Sequence, residues 1–160
     1  MAGKRKPLAK AECPVARSLD VIGDTWSMLI VRDAFDGVRR FGEFQQSLGI
    51  AKGVLTTRLR DLCERGIFRI EGASDGSAYH DYVLTEKGRD LFLVIVALRQ
   101  WGERHLYRPR EPRSALVDMT SGESIPWLEL RAPDGRPLDG DATRVRKVGE
   151  GESKLRKRRM

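Results

Sequence analysis

The run Leu91-Phe92-Leu93-Val94-Ile95-Val96-Ala97-Leu98 contains no polar position. Thr85 is placed to cap a helix from Glu86 to about Tyr107, and this run is its middle. A helix that is apolar all the way round has no face to give to water, so every side of it must be covered. A chain of 160 residues has little structure to spare for that, and the expected cover is a second subunit, making a homodimer. The alternative cover is the chain's own first helix and C-terminal segment.

The same run is too short to cross a bilayer, which takes about 18 apolar residues, so no membrane partner is expected. The basic opening MAGKRKPLAK has no apolar segment after it and does not read as a secretory signal. At 18.1 kDa and 40% hydrophobic residues, the chain suits one domain with an appendage. The net charge is +7, of which residues 1–10 hold +4 and residues 150–160 hold +3. The body between them is neutral. Two basic tails on a balanced domain fit an anionic partner such as nucleic acid, or else are simply solvated ends.

Cys13 and Cys63 are the only cysteines, and His80 and His105 the only histidines. That excludes a disulfide framework and most zinc sites, and suits a reduced, cytoplasmic protein with no metal and no cofactor. Paired catalytic carboxylates, a Ser/His/Asp order and a phosphate-binding glycine loop are all missing, so no enzyme is expected.

Helical spacing appears first at Trp26, Leu29, Ile30 and Ala34, with Asp24 as N-cap and Gly37 as the stop. Phe41, Phe44 and Leu48 mark a short second helix closed by Gly49. A third runs from about Ala51 to Arg65, with Leu55, Leu59 and Leu62 in one narrow stripe. On that helix Gly53, Thr57, Arg60 and Glu64 point away from the stripe, and Lys52, Thr56 and Arg58 flank it. Ile67 to Glu71 and Tyr79 to Leu84 read as two strands around the turn Gly72-Ala73-Ser74-Asp75-Gly76-Ser77, a hairpin. Beyond Pro109 and Pro112, turn signals at Ser121-Gly122 and Asp134-Gly135 bracket Ile125 to Leu130, with Pro126 suited to an edge strand, and Thr143 to Val148 reads as another strand.

This order gives a mostly α fold with a β-hairpin wing (α+β). It is a winged helix-turn-helix with a long C-terminal dimerisation helix and a small β appendage. The expected divisions are a basic flexible arm at 1–10, the DNA-binding and dimerisation domain at 11–108, a β-rich extension at 109–149 and a basic disordered tail at 150–160. A groove-reading helix needs small or polar residues facing the bases and cations at its flanks. Residues 39–69 hold seven basic groups against three acidic ones. Lys52, Gly53, Thr56, Thr57 and Arg60 are candidates for base edges or nearby phosphates in double-stranded DNA. Arg39, Arg40 and Arg58 are candidates for phosphates, and Arg69 for the base of the wing. The bland counterpart is an amphipathic helix with a solvated basic face.

Four blocks resemble the HxlR family of winged-helix regulators. Cys13-Pro14-Val15-Ala16-Arg17-Ser18-Leu19-Asp20-Val21-Ile22-Gly23-Asp24-Thr25-Trp26 is similar to that family's opening signature. Arg39-Arg40-Phe41-Gly42-Glu43-Phe44 resembles its second DNA-binding helix, and Val54-Leu55-Thr56-Thr57-Arg58-Leu59-Arg60-Asp61-Leu62 its recognition helix. Tyr82-Val83-Leu84-Thr85-Glu86-Lys87-Gly88 resembles the strand-to-helix junction after the wing. The resemblance spans about 13–107 and implies a dimeric DNA-binding transcription factor, related in fold to MarR-type regulators, with repression as the simplest output. It departs from the pattern in a wing tip without Lys or Arg. It departs again beyond residue 109, where the spacing resembles a zinc-ribbon-like extension whose metal positions hold Ser121, Arg131 and Asp134, so no zinc is expected.

Cys13 precedes Pro14, a favoured first helical residue, so its thiol is placed at the N-terminus of a helix over 14–22, with Arg17 one turn on. The resemblance makes Cys13 a candidate redox or electrophile sensor, against a plain packing role. Cys63 beside Leu62 reads as buried and inert. Trp26, Phe92, Trp101 and Tyr107 are candidates for a small-molecule effector pocket, against the plain reading that they are core. Two functions stay open: a sequence-specific dimeric regulator whose half-sites lie about one helical turn, ~34 Å, apart, and a non-specific or architectural DNA binder driven by the tails.

Overall fold

The computed structural model describes residues 8–73 and 75–149. Of the arm expected at 1–10, residues 1–7 lie outside the described residues, as does the tail expected at 150–160. Two units are present, one ending at Leu106 and the other beginning at Tyr107.

In the first unit α1 spans Pro14–Ile22, α2 Thr25–Phe35, α3 Phe41–Leu48 and α4 Lys52–Glu64. A hairpin follows, β1 (Phe68–Gly72) against β2 (His80–Leu84), antiparallel from Phe68 opposite Leu84 to Gly72 opposite His80. Three of the helix ends have a clear local cause. The Asp24 carboxylate accepts the Ser27 N–H and caps α2. Glu43 accepts the N–H groups of both Arg39 and Arg40 and so closes the open end of α3. Gly49 ends α3 in the left-handed region at φ 60°, where a side chain is disfavoured.

The core lies where α2, α3, α4 and β1 meet. Ile30 and Val31 of α2, Phe44 of α3, the Leu55–Leu59–Leu62 stripe of α4, and Ile67, Phe68 and Leu84 are all buried there. Phe44 and Phe68 meet edge to face at 6.3 Å between ring centres. The hairpin is bolted to the helices at both ends. At one end the Tyr82 N–H donates to the Arg39 carbonyl at 2.8 Å. At the other, the Thr85 hydroxyl donates to the Gly66 carbonyl at 2.6 Å while accepting the Gly88 N–H.

The long helix expected from Glu86 to Tyr107 is two helices, α5 (Glu86–Arg89) and α6 (Phe92–His105). The Leu91 N–H bonds to the Gly88 carbonyl, three residues back rather than four, and this tight turn separates them. Gly88 is pressed on the hairpin: a Cβ there would sit 2.3 Å from the Ile67 carbonyl oxygen. Within the described residues of the first unit the apolar run is only partly wrapped. Val96 is buried, but Phe92, Leu93, Val94, Leu98 and Trp101 are exposed, Leu93 at 62%. α1 gives only partial cover, across a cavity of about 440 Å³ lined by Val15, Leu19, Ile67, Leu91 and Val94 among others.

The second unit has less β structure than the sequence suggested. Val117 bridges Ser124, and β3 (Leu130–Arg131) pairs with β4 (Pro137–Leu138). Of the expected strand Ile125 to Leu130 only Leu130 is in a ladder, and Pro126 lies outside any strand. Thr143 to Val148 is not a strand. Asp139 instead collects the N–H groups of Asp141 and Ala142 into a turn, and Val145 and Val148 face water. No described residue of this unit is buried. The two exposed valines, three residues apart, therefore gain nothing from an extended ladder.

Gly88→Ala should destabilise the protein by about 1–3 kcal/mol through overpacking against Ile67, despite alanine's better helix propensity. Urea denaturation monitored by circular dichroism tests this, and an unchanged or raised midpoint contradicts it.

Candidate nucleic-acid interface

Burial of the leucine stripe decides which way α4 faces. Leu55, Leu59 and Leu62 are essentially inaccessible. Lys52, Gly53, Thr56, Thr57 and Arg60 are all exposed, as their helical spacing requires. The Thr56 hydroxyl donates to the Lys52 carbonyl and the Thr57 hydroxyl to the Gly53 carbonyl, at 2.9 and 3.0 Å. With the protons turned inward, each oxygen offers lone pairs outward beside a methyl group.

Glycine at position 53 is not explained by packing within the chain. A Cβ there meets nothing within 4 Å, and the same holds for Gly42 on α3. Both sit in the first turns of their helices, where glycine weakens the helix. The space they leave is on the outside, where a partner's atoms can approach the backbone closely.

The arginines divide into paired and unpaired groups. Arg58 Nε lies 3.2 Å from Asp24 Oδ1, so Arg58 braces α4 against the cap of α2, with Asp61 on its other side. It is a strut of the helix pair before it is a phosphate contact. Arg60 lies within 4 Å of Asp61 and Glu64 along its own helix. Arg69 Nε donates to Glu71 at 2.6 Å. Arg40 donates to Asp75 at the wing tip. Arg39 and Lys52 form no ion pair among the described residues. Sequence reasoning counted cations and found the excess, but it missed these carboxylate partners. Asp24 and Asp75 come from distant parts of the chain, and only the pattern on α4 itself, Arg58–Asp61 and Arg60–Glu64, was readable.

Two carboxylates at this surface are biased towards the ionised form. The Arg40 guanidinium holds the Asp75 carboxyl far below the ordinary carboxylate range. The backbone N–H groups of Arg40 and Arg39 lower that of Glu43. Both remain anions at the edge of a surface read as DNA-facing.

The two cysteines differ in exposure, and Cys63, expected to be buried, is only half-buried. Cys13 is exposed at the N-cap position of α1, where Pro14 is the first helical residue. Arg17 is turned to the Ala11 carbonyl. Cys63 is half-buried against the core, and that burial pushes its thiol pKa up, with Glu64 adding to the effect. The three candidate effector-pocket aromatics of the first unit have different surroundings. Trp26 packs on the core, Phe92 meets Phe35 edge to face at 5.2 Å, and Trp101 is exposed beside His105. None of these three lines the cavity between α1 and the start of α6. Among the described residues no group of three His, Cys, Asp or Glu side chains is placed to hold a metal, and no helix is long and apolar enough to cross a membrane.

A braced helix pair, a small polar exposed face and a hairpin bolted beside them define a winged helix-turn-helix. The family model described as HxlR-like helix-turn-helix matches residues 21–110, so the chain belongs to that family. The HTH-type transcriptional regulator MT3179 of Mycobacterium tuberculosis is 49% identical over 110 residues, covering 68% of this chain and 69% of that one. The crystal structure of PA1607, assigned as a transcription factor, is 54% identical and covers 89% of this chain and 99% of that one, with TM-score 0.85. The redox regulator HypR in its oxidised form is 36% identical over 58% of this chain and 97% of its own, with TM-score 0.53. The protein is a transcriptional regulator of the helix-turn-helix type.

Gly53→Ala should raise the stability of the free protein by about 0.5–1 kcal/mol, since the methyl meets no neighbour and improves the helix. Thermal unfolding without DNA checks this, and a lower melting temperature contradicts it.

Proposed function

We propose that the protein is a sequence-specific DNA-binding repressor that acts as a homodimer, with α4 of each subunit in the major groove. The observation that carries this reading is the free face of α4. Its inner face is fixed by three leucines and an arginine strut, while small and polar groups are turned outward. A recognition helix must be rigid in orientation and shallow in profile. Thr56 and Thr57 offer acceptors to base amino groups and methyls to thymine. Arg60 is the donor suited to guanine, and Arg39 and Lys52 are free to meet phosphates.

The dimer reading rests on the open apolar side of α6, Leu93, Leu98 and Trp101 among it, beside exposed Val15 and Leu19 of α1. A second copy buries these surfaces with like ones. For Cys13 the proposed role is redox or electrophile sensing. The thiol is exposed at a helix N-terminus, and Cys63 is half-buried with its thiolate disfavoured. HypR, a structural relative, is itself named a redox regulator. An oxidant such as diamide would take two electrons from two thiolates to make a disulfide between subunits, and a quinone would add to one thiolate.

The test is binding of the reduced protein to DNA upstream of its own gene, and to genomic fragments, with excess random DNA at near-physiological salt. Competitor-resistant binding supports the proposal. Binding that random DNA abolishes on every fragment supports the tail-driven, non-specific reading.

On an operator so found, Arg60→Ala should cost about 1–3 kcal/mol and relax base preference. Arg39→Ala and Lys52→Ala should weaken all DNA alike and lower the salt dependence. Equal losses on operator and random DNA for Arg60→Ala would contradict this division. Cys13→Ser should keep operator affinity and lose the response to diamide or quinone, measured by gel shift. A wild-type response in that variant removes the sensing role.

A further inference from the structure

Arg40 stands where the helix pair meets the wing. It is the residue that enters α3, and its guanidinium crosses to the hairpin. Nη2 donates to Asp75 Oδ2 at 2.5 Å, and Nε lies 3.6 Å from Oδ1 of Asp81. The two carboxylates differ in kind. Asp81 is buried within β2, whereas Asp75 is exposed at the tip of the wing. Asp75 is also fixed before it meets the arginine, because its second oxygen accepts the Ser77 N–H at 3.0 Å.

A carboxylate on an arginine fork presents the same oxygen pair that a phosphate diester presents. The wing tip has no Lys or Arg, and the residue it offers to the helix pair is an acid. A pair open to water is weak and screened by salt. Duplex DNA carries one negative charge for about every 1.7 Å of its axis, so its backbone is the stronger attractor at close range. The buried Asp81 keeps the guanidinium aimed while the exposed partner is exchanged.

We propose that Asp75 is a built-in phosphate surrogate: it holds Arg40 in the free protein, and docking transfers Arg40 from Asp75 to a backbone phosphate. This rests on the reading that the Arg40 side of the helix pair faces DNA. The exchange lowers affinity for all sequences alike and leaves discrimination between them to α4. It also reduces the salt dependence of binding, because the released carboxylate recaptures a cation when the phosphate loses one. Asp75 is thus a positioning residue that sets the affinity level.

The experiment is a double-mutant cycle between Asp75→Asn and Arg40→Gln in the full chain, read by fluorescence anisotropy on operator and random duplexes across salt. Asparagine keeps the acceptor for the Ser77 N–H, so the wing turn is preserved. Asp75→Asn is expected to tighten both duplexes on the order of fivefold at low salt. It should also steepen the salt slope by up to about 0.9, and both effects should vanish in the Arg40→Gln background. Removing Arg40 leaves the buried Asp81 without that cation, so circular dichroism must accompany each variant. Should Arg40→Gln not fold, the same cycle is run in an Asp81→Asn background, which removes the buried charge that the glutamine would leave facing it. If Asp75→Asn tightens binding equally with and without Arg40, general repulsion is at work and the exchange is overturned. If Asp75→Asn weakens or does not change binding while the Arg40 variant weakens it, the pair holds the wing and the exchange is again overturned. If the Arg40 variant binds both duplexes as well as wild type, the underlying placement of Arg40 at DNA is what fails.

Discussion

The burial of one narrow leucine stripe sets the orientation on which everything else depends. Leu55, Leu59 and Leu62 are three side chains on a 13-residue helix whose remaining surface is largely polar. Each contributes about 1.5–3 kcal/mol when fully buried, and together they leave α4 one rotational setting about its axis. Rotation by one residue would expose a leucine and bury Arg60 or Thr57. Arg58 tightens that setting by reaching the Asp24 carboxylate, which already caps α2. The same aspartate thus starts one helix and steadies the next. The exposed face of α4 is therefore a consequence of the core and needs no contact with DNA to be formed.

The helices of the first unit were legible because their signals are local. Caps, stops and apolar spacing over Asp24 to Arg65 lie within a turn or two of the residues they govern. The break between α5 and α6 was not legible. It falls at the tight turn from Gly88 to Leu91, whose glycine lies close to the distant Ile67 carbonyl, while the run after it reads as one continuous helix. The strand expected at Thr143 to Val148 failed for a related reason. β-branched residues mark a strand only where another strand and a buried face are available, and the described part of the second unit offers neither to Val145 and Val148.

At the site, the sequence showed which residue types were present and on which side of α4 they lie. It did not show their partners. The excess of cations over residues 39–69 suggested a frankly positive surface. Arg40, Arg58, Arg60 and Arg69 each have a carboxylate close by. Counting charges over a segment misses Asp24, which lies outside it, and Asp75, which the wing brings back to α3. The arginines keep their forks and their aim, but their field is largely cancelled at a distance.

This cancellation fits the distribution of charge along the whole chain. The body of residues 11–149 is neutral, and the net +7 comes from the two ends. Long-range attraction to a polyanion scales with net charge and fades over a Debye length, about 8 Å at physiological salt. Close-range recognition depends on donors and acceptors held in place. A chain that neutralises its helix pair with fixed carboxylates, and keeps its excess charge in terminal segments, separates these two tasks. The tails can raise the local encounter rate with any DNA. In the proposed reading, the braced face of α4 gains only where its threonines and Arg60 find matching base edges, because paired arginines would give up one anion to meet another.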